Sequence, residues 1–361
     1  MVLKAFLGFT IICLIASMNR RKLKIPKVEY ESESLLPNDS EDDDQVICLS
    51  FENIFHSFSN DPLDDMVEIH NGDNSIVFKH EVNGDIYKYV ANDKELFAKL
   101  LTVKDKFELL STETQKQVYK IKKISQSKKI TRVLMEYSGD DIMNLTNSSK
   151  NIDTTLDFIS NKILPLYKAL KELHRNGIFH LDFNPVNICL KENNDYLTVI
   201  DFDMSELNVD RKIIKSGTPE YFSPFDFEYI KNKEETNLEV RDELGFFLTF
   251  THVLNLSKYD TYVLYVKEWK KNNIDKNFLK EGLEILMEIV GEDKGIAQMI
   301  KEPVELLVIV KRFVWKQILV RLERIEETQV NKGLGSGLKK LDEIFDQTKE
   351  TQMILELKQR I

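Results

Sequence analysis

Three side chains in this 361-residue chain have the chemical types that transfer of a phosphoryl group requires. Asp182 and Asn187 lie in the segment HLDFNPVN at residues 180–187, and Asp201 begins the segment DFD, fourteen residues after Asn187. Transfer to a hydroxyl needs one carboxylate to orient that hydroxyl, and a carboxylate with an amide to hold the metal that bridges the phosphates. The chain supplies these groups in that order.

Together with GTPEYFSP at residues 217–224, these motifs resemble the catalytic and activation segments of protein kinases. The family patterns are H-R-D-x-x-x-x-N, D-F-G and G-T-P-E-Y-x-A-P-E. The resemblance is strongest over residues 136–224, where the spacing between motifs is close to that of the family. It implies a Mg²⁺- and ATP-dependent protein kinase, with Asp182 as the catalytic base and with Asn187 and Asp201 as the residues that hold Mg²⁺.

The same resemblance places residues around the nucleotide. Aligning Val77 with the valine after the family's glycine-rich loop puts Gly72 at the second glycine, and His70 and Ser75 at the first and third. Glu136 belongs to a segment that resembles the strand entering the hinge, whose backbone holds adenine. Of these positions, Gly72, Ser75, Val77 and Glu136 are the expected contacts for ATP.

Lys88 falls where the family has the lysine that binds the α- and β-phosphates. That lysine pairs with a glutamate on the following helix. Glu108 is the preferred partner, because its distance along the chain leaves room for the helix and for two strands before the hinge. Glu95 is the alternative, in a more regular helical pattern but only seven residues from Lys88.

Four positions depart from the family pattern, and each changes the expected chemistry. Leu181 replaces the arginine that clamps a phosphorylated activation loop, so we expect activity without phosphorylation of that loop. Asn184 replaces a lysine that touches the transferring phosphate, which removes positive charge where negative charge develops. Asp203 replaces the glycine of D-F-G and adds a carboxylate near the metal. Phe225 replaces a glutamate that pairs with a distant arginine.

Thr218, within GTPEY, favours serine or threonine over tyrosine as the phosphorylated residue. It also argues against small-molecule kinases, which share H-x-D-x-x-x-x-N but lack this segment.

The predicted function is a protein Ser/Thr kinase with Asp182, Lys88, Asn184 and Thr218 in the catalytic set, and Asp242 as support for the catalytic-loop backbone. The alternatives are a pseudokinase that binds nucleotide or a protein partner with little turnover and, third, a small-molecule kinase.

Two groups of elements must position these residues. Residues 67–90 contain apolar runs on both sides of Asn83-Gly84, the strongest short signal for a β-hairpin. Residues 93–111 have a helical pattern, and further strands are predicted at 117–124 and 129–137. From residue 152 onward helical patterns dominate, with Gly177 ending the first long helix. We therefore predict an α+β, two-lobed protein-kinase-like fold, with a small antiparallel-sheet N-lobe at residues 46–137 and a mainly helical C-lobe at 138–330.

The composition narrows the class of partner. A hydrophobic content of 42% is enough for a core, and three cysteines are too few for a disulfide framework. The net charge of −10 argues against nucleic acid as a general partner, because a phosphate backbone binds basic surfaces. The expected partner is a protein substrate. Residues 331–361 are predicted to be a glycine-rich hinge followed by an amphipathic helix.

The N-terminal residues indicate how the protein is targeted in the cell. Residues 5–18 are almost wholly apolar, follow Lys4 and precede Arg20, Arg21 and Lys22. They are short for a membrane span, which needs about 20 residues, and they suit the apolar region of a signal peptide, so a secreted or secretory-pathway protein is expected. The basic residues favour instead an uncleaved membrane anchor with a cytosolic domain, and a buried helix is the third alternative. Residues 19–45 are predicted to be an acidic, disordered linker.

Overall fold

The computed structural model describes residues 54, 58, 65–71, 75–91, 94–127, 130–149, 152–191, 196–213, 217–272 and 278–328. All of them belong to the compact unit Ile47–Ile361. Four predicted features lie outside these residues: the apolar segment 5–18, the acidic linker 19–45, Gly72, and the hinge and helix of residues 331–361. Of the helices in the described part of the chain, none is long and apolar enough to cross a bilayer.

A five-stranded antiparallel sheet with the spatial order β1-β2-β3-β5-β4 forms the N-terminal lobe. Its strands are β1 Met66–Asn71, β2 Ser75–His80, β3 Ile86–Ala91, β4 Ile121–Ser127 and β5 Ile130–Met135. Alternation along β2 buries Ile76 and Phe78 in a cluster with Tyr89 of β3. Val77 pairs directly with Lys88 in the register, so both lie on the opposite face of the sheet, which covers the cleft described below.

The predicted hairpin at Asn83-Gly84 is present, with a longer turn than two residues. His80 N donates to Asp85 O at 2.8 Å, and β3 begins only at Ile86. Gly84 has a φ of +72°, whereas Asn83 stays at negative φ and its Oδ1 accepts from Asp85 N at 2.8 Å. One residue with left-handed backbone is therefore enough to reverse the chain here.

Helix α1, Lys94–Phe107, follows β3 and packs on β4. It buries Leu100, Val103 and Phe107, which recur at the spacing of one helix face. The helix ends at Phe107, before the predicted end at residue 111, so Glu108 lies in the turn beyond it. A short second helix, α2 Thr112–Lys116, begins after Ser111, whose hydroxyl accepts a hydrogen bond from Thr114 N.

The C-terminal lobe is mainly helical. Its helices are α3 Ile142–Ser148, α4 Ile152–Arg175, α5 Pro224–Asn232, α6 Leu238–Leu254, α7 Leu256–Asn272, α8 Phe278–Val290, α9 Lys294–Ala297 and α10 Pro303–Thr328. Helix α4 ends at Arg175, and Gly177, predicted to terminate it, follows two residues later with a φ of +67°. Helix α6 is buried on nearly all sides and packs on α4, α7 and α10, which makes it the centre of the lobe. The two-lobed α+β fold is confirmed.

Short strands of the C-terminal lobe hold the catalytic segment. They are β6 Asp140–Asp141, β7 Ile178–Phe179, β8 Ile188–Leu190, β9 Thr198–Val199, β10 Glu206–Leu207, β11 Arg211–Lys212 and β12 Thr236–Asn237. Strand β8 follows Asn187 at once and pairs antiparallel with β9, which ends two residues before Asp201. Ile200 N donates to Asn187 O at 2.9 Å, so this pairing brings Asn187 next to the segment that carries Asp201.

Candidate active site

Asp242 of α6 binds the backbone of the catalytic loop. Its carboxylate accepts from His180 N at 2.8 Å and from Leu181 N at 2.7 Å, which confirms the predicted support of the loop backbone. His174 Nε2 lies 2.9 Å from the same carboxylate. Burial alone raises the pKa of Asp242, but the hydrogen bonds from His174 and the loop outweigh it and hold that pKa below its ordinary value.

Leu181 adopts a left-handed backbone conformation with a φ of +64°. Such a backbone is costly for a non-glycine residue and persists only where its surroundings impose it. Here both backbone groups of the residue are bound, because its N–H donates to Asp242 and its carbonyl accepts from Arg241 Nη1 at 3.0 Å. The side chain packs in an apolar cluster with Phe179 and Leu238, so no cation stands where the family has its arginine.

His180 links the catalytic loop to the segment of Asp201. Its Nδ1 accepts from Asp182 N at 3.2 Å, so its proton is on Nε2, which donates to Ile200 O at 2.9 Å. The His180 ring lies 4.6 Å from the ring of Phe202, a fully buried side chain that follows Asp201 directly. Phe202 also contacts Phe107 of α1 at 4.9 Å, so one aromatic column joins both lobes behind the site.

The carboxylate of Asp182 is fixed by three donors. Oδ1 accepts from Thr218 N and Thr218 Oγ1, each at 2.7 Å, and Oδ2 accepts from Asn187 Nδ2 at 3.0 Å. Burial raises the pKa of Asp182, and the hydrogen bonds from Thr218 oppose this rise. The Asp182 carboxylate is therefore held in one orientation, which a group that orients a substrate hydroxyl requires.

Asn184 is buried, and its side-chain amide is used within the loop. Its Oδ1 accepts from Val186 N at 3.0 Å and from Asn187 N at 3.1 Å, which caps the 3₁₀ turn Pro185–Asn187. Its Nδ2 donates to Asp182 O at 3.2 Å and to Thr218 Oγ1 at 3.1 Å. Asn184, predicted in the catalytic set, thus positions Asp182 and Thr218.

Lys88 reaches across the cleft to two acidic side chains. Its Nζ lies 2.7 Å from Asp201 Oδ1 and 2.8 Å from Asp203 Oδ2. Burial alone lowers the pKa of Lys88, but the two carboxylates outweigh it and raise the pKa above its ordinary value. Lys88 is buried and charged, and is therefore not a solvent-exposed strand lysine.

The predicted pair between Lys88 and Glu108 is wrong. Glu108 lies beyond the end of α1, is exposed, and pairs instead with Lys104 at 2.8 Å, one helical turn before it. Glu95, the alternative, is exposed as well. The side chain of α1 that reaches the site is Lys99, whose Nζ donates to the backbone carbonyl of Asp203.

An open cleft lies between the sheet and the catalytic segment. Its volume is about 720 Å³, which includes space that is open to solvent. Of the residues predicted to contact ATP, four line the cleft: Ser75, Val77, Lys88 and Glu136. Gly72 lies outside the described residues, and Glu108 is not part of the lining.

Further lining residues come from positions that the motifs did not indicate, among them Tyr119 and Cys189. Cys189, on β8, contributes an apolar wall rather than a reactive thiol, because burial first, and then Asp141 and Asp140, raise its pKa to about 12. In the sequence, the only sign that Cys189 lies near the site is its place two residues after Asn187.

Comparison with known proteins agrees with this geometry. Residues 66–240 match the family model "Protein kinase domain". The chain carries a divergent protein kinase domain. Among curated relatives it is 30% identical over 144 residues to Calcium-dependent protein kinase 6 of Plasmodium berghei, a match that covers 38% of this chain and 10% of the relative.

Two other kinases match a similar stretch. The chain is 29% identical over 133 residues to Serine/threonine-protein kinase ppk34 of Schizosaccharomyces pombe, covering 36% of this chain and 37% of that protein. It is 29% identical over 122 residues to Serine/threonine-protein kinase dkf-2 of Caenorhabditis briggsae, covering 32% and 10%. The chain therefore spans well under half the length of the relatives it matches.

The kinase domain keeps a buried acid where Phe225 replaces the family's glutamate. Phe225 is itself buried, and the next residue, Asp226, lies 3.3 Å from Arg241 through its Oδ1. Ser223 N and Ser223 Oγ both donate to Asp226 Oδ2 at 2.7 Å. The buried acid therefore lies one position later than in the family pattern. In the sequence, the only sign of it is the aspartate that follows Phe225.

One further group within the described residues has metal-ligating types, formed by His174, Glu239 and Glu243. Lys171 Nζ already forms ion pairs with both glutamates, and Tyr167 Oη donates to Glu243 Oε2 at 2.8 Å. Interactions with His174 and Lys171 lower the pKa of Glu239 to about 2. Lys171 thus lies between the two glutamates, where a metal ion would have to bind. His174 of this group contacts Asp242, so the group supports that aspartate.

Proposed function

We propose that this kinase domain is an active protein kinase that transfers the γ-phosphate of ATP to serine or threonine of a protein substrate. The single observation that carries the proposal is the state of Asp182. Its carboxylate is fixed by Thr218 and Asn187, in a loop whose backbone is bound by Asp242. A preorganised carboxylate near an open cleft that Lys88 and Asp201 line is what phosphoryl transfer to a hydroxyl needs.

Each residue has a role that follows from its chemistry. Asp182 would accept a hydrogen bond from the substrate hydroxyl and hold that oxygen towards the phosphorus. Lys88 would bind phosphate oxygens from the roof of the cleft, because its ammonium is buried and charged. Val77 and Ile86 would cover the adenine, and the backbone beginning at Glu136 would border its edge.

Mg²⁺ and ATP fit the residues present. Asp201 offers carboxylate oxygens and Asn187 an amide oxygen, and Mg²⁺ prefers such hard oxygen ligands together with those of phosphates. Asn187 uses its amide nitrogen on Asp182, so its oxygen is the atom that would bind the cation. When bound, the metal would neutralise charge on the phosphate oxygens.

The specificity for serine and threonine rests on Thr218, and it can be tested with peptide libraries. The purified chain, ATP and Mg²⁺ are incubated with matched peptides that carry one serine, threonine or tyrosine. We expect phosphate on serine and threonine peptides. Phosphate confined to tyrosine would refute the specificity, and phosphate on hydroxylated metabolites alone would favour a small-molecule kinase.

A pseudokinase that serves as a scaffold is the second candidate, and the surroundings of Lys88 favour it. Asp203 contacts this lysine directly, where nucleotide phosphates would bind. Thermal unfolding with ATP, with and without Mg²⁺, separates the candidates when combined with the peptide assay. A ligand at a hundred times its Kd adds about 2.7 kcal/mol of stability. Stabilisation without phosphate transfer would support the scaffold, and no stabilisation would contradict both candidates.

A further inference from the structure

The ion pairs of Lys88 are arranged in an unusual way for a protein kinase. In this family the lysine pairs with a glutamate of the following helix, and that pair must be in place for activity. Here Lys88 Nζ contacts Asp201 at 2.7 Å and Asp203 at 2.8 Å, and both acids come from the start of the activation segment. The sheet therefore binds the activation segment directly through this lysine.

Helix α1 does not supply the missing acid. Within the described residues of α1 the acids are Glu95 and Asp105, and both are exposed. Glu108, just beyond the helix, is bound to Lys104 on the surface. The side chain that α1 directs to the site is a cation, Lys99, and its ammonium donates to the carbonyl of Asp203. The acids next to Lys88 thus both come from the D-F-D segment, and the helix contributes a cation in place of the family's acid.

The backbone explains why an aspartate is tolerated at position 203. Asp201 has a φ of +64°, but Asp203 is not among the residues with positive φ. A side chain at position 203 therefore causes no backbone strain, and glycine is not required there. The Asp203 carboxylate is only 17% exposed and lies against an ammonium that is 8% exposed, so water screens this ion pair little.

We propose that Asp203 replaces the helix glutamate as the residue that holds Lys88 in position for the nucleotide. This inference rests on the proposed kinase function. Asp201 is the expected metal ligand, and a carboxylate shared with a divalent cation attracts an ammonium less strongly. A second carboxylate keeps Lys88 paired and oriented when that happens. Asp203 is a positioning residue, because it acts through Lys88.

A second consequence concerns α1. Because Lys88 takes its partner from the activation segment, its alignment does not depend on an acid brought by the helix. Lys99 instead attaches α1 to the backbone of the same residue, Asp203. One residue therefore connects the sheet, the helix and the activation segment.

The test is a double-mutant cycle between Lys88→Met and Asp203→Asn, read out as the Kd for ATP without metal and as kcat and KM with Mg²⁺. We expect each single variant to weaken ATP binding about tenfold or more, as the loss of one partner from a buried pair does. The double variant should bind ATP no worse than Lys88→Met alone, because Asp203 acts through that lysine. Additive losses, or an Asp203→Asn variant that matches the wild type, would overturn the proposal.

Two helix variants serve as matched controls. Glu108→Gln and Glu95→Gln should leave the Kd for ATP and kcat unchanged, whereas a loss as large as that of Lys88→Met would identify a helix acid as the true partner and overturn the proposal.

If Asp203→Asn fails to fold, as judged by circular dichroism, Asp203→Ser takes its place. A wild-type chain that neither binds ATP nor transfers phosphate refutes the proposed function and this inference with it. A wild-type chain that does both, with an unaffected Asp203→Asn variant, refutes this inference alone.

Discussion

Asp226 Oδ1 lies 3.3 Å from Arg241 Nε, and both side chains are buried in the C-terminal lobe. Arg241 Nη1 donates to the carbonyl of Leu181 in the catalytic loop, and Ser223 donates twice to Asp226 at the start of α5. The pair therefore ties the end of the activation segment to the residue that precedes Asp182.

Replacing Asp226 by asparagine should strongly destabilise the domain. The change leaves the buried guanidinium of Arg241 without a counter-charge, which costs about 3–5 kcal/mol for a buried pair. The measurement is urea unfolding of wild type and Asp226→Asn. Glu228→Gln, an exposed acid on the same helix, is the control and should stay within about 0.5 kcal/mol. A loss below about 1 kcal/mol in Asp226→Asn would show that the pair does not stabilise the fold.

Asn184→Ala should lower both stability and kcat. The cap on the 3₁₀ turn disappears, at a cost of about 1 kcal/mol, and Asp182 and Thr218 lose a shared donor. Asn184→Ser keeps an oxygen acceptor for the cap, so it should recover part of the stability and none of the kcat. Steady-state kinetics would contradict this role if Asn184→Ala had the wild-type kcat.

His174 should make stability depend on pH. Burial lowers its pKa, but the hydrogen bond to Asp242 and the attraction of Glu239 and Glu243 outweigh burial and raise it above 6.5. A raised pKa means that the protonated ring stabilises the fold. That contribution is complete below pH 6.5 and is lost as the pH rises through the folded-state pKa.

The measurement is the free energy of unfolding at a series of pH values above 6.5, for wild type and His174→Gln. We expect the wild-type stability to fall relative to that of the variant as the pH rises. The charged groups facing the ring are Asp242, Glu239, Glu243 and Lys171, and both proteins retain all four. Parallel curves would show that His174 does not titrate as described.

Activity should persist after phosphatase treatment. Leu181 packs in an apolar cluster and cannot pair with a phosphate. Ser205 is fully buried, and its Oγ donates to Phe202 O at 2.7 Å, so phosphate could be added there only after local unfolding. Ser205→Ala and Ser216→Ala should both retain the wild-type kcat. Loss of activity after phosphatase, restored by rephosphorylation, would contradict this expectation.

The catalytic loop could be predicted from the sequence because its contacts are local. Asp182, Asn184 and Asn187 bind one another within six residues, and the β8–β9 hairpin brings Asp201 beside them. Motif spacing contains this information, since each partner lies at a short, set distance along the chain. The α+β order of elements followed in the same way from alternating and helical patterns.

The partner of Lys88 could not be predicted in this way. The choice of Glu108 assumed a helix to residue 111, but α1 ends at Phe107, so this glutamate lies outside the helix face that meets the sheet. Contacts between Lys88 and Asp203 join residues far apart in the chain, and only the packed lobes bring them together.

Phosphate transfer by wild type and Asp182→Asn is the most direct measurement of the central claim. Both proteins are incubated with labelled ATP, Mg²⁺ and a serine/threonine peptide mixture, and Asp210→Asn, an exposed acid of the same activation segment, is the control. We predict that Asp182→Asn lowers kcat by about 10²–10⁴-fold and that Asp210→Asn matches the wild type. Equal transfer by wild type and Asp182→Asn would contradict the assignment of Asp182 as the base and, with it, the proposed catalytic site.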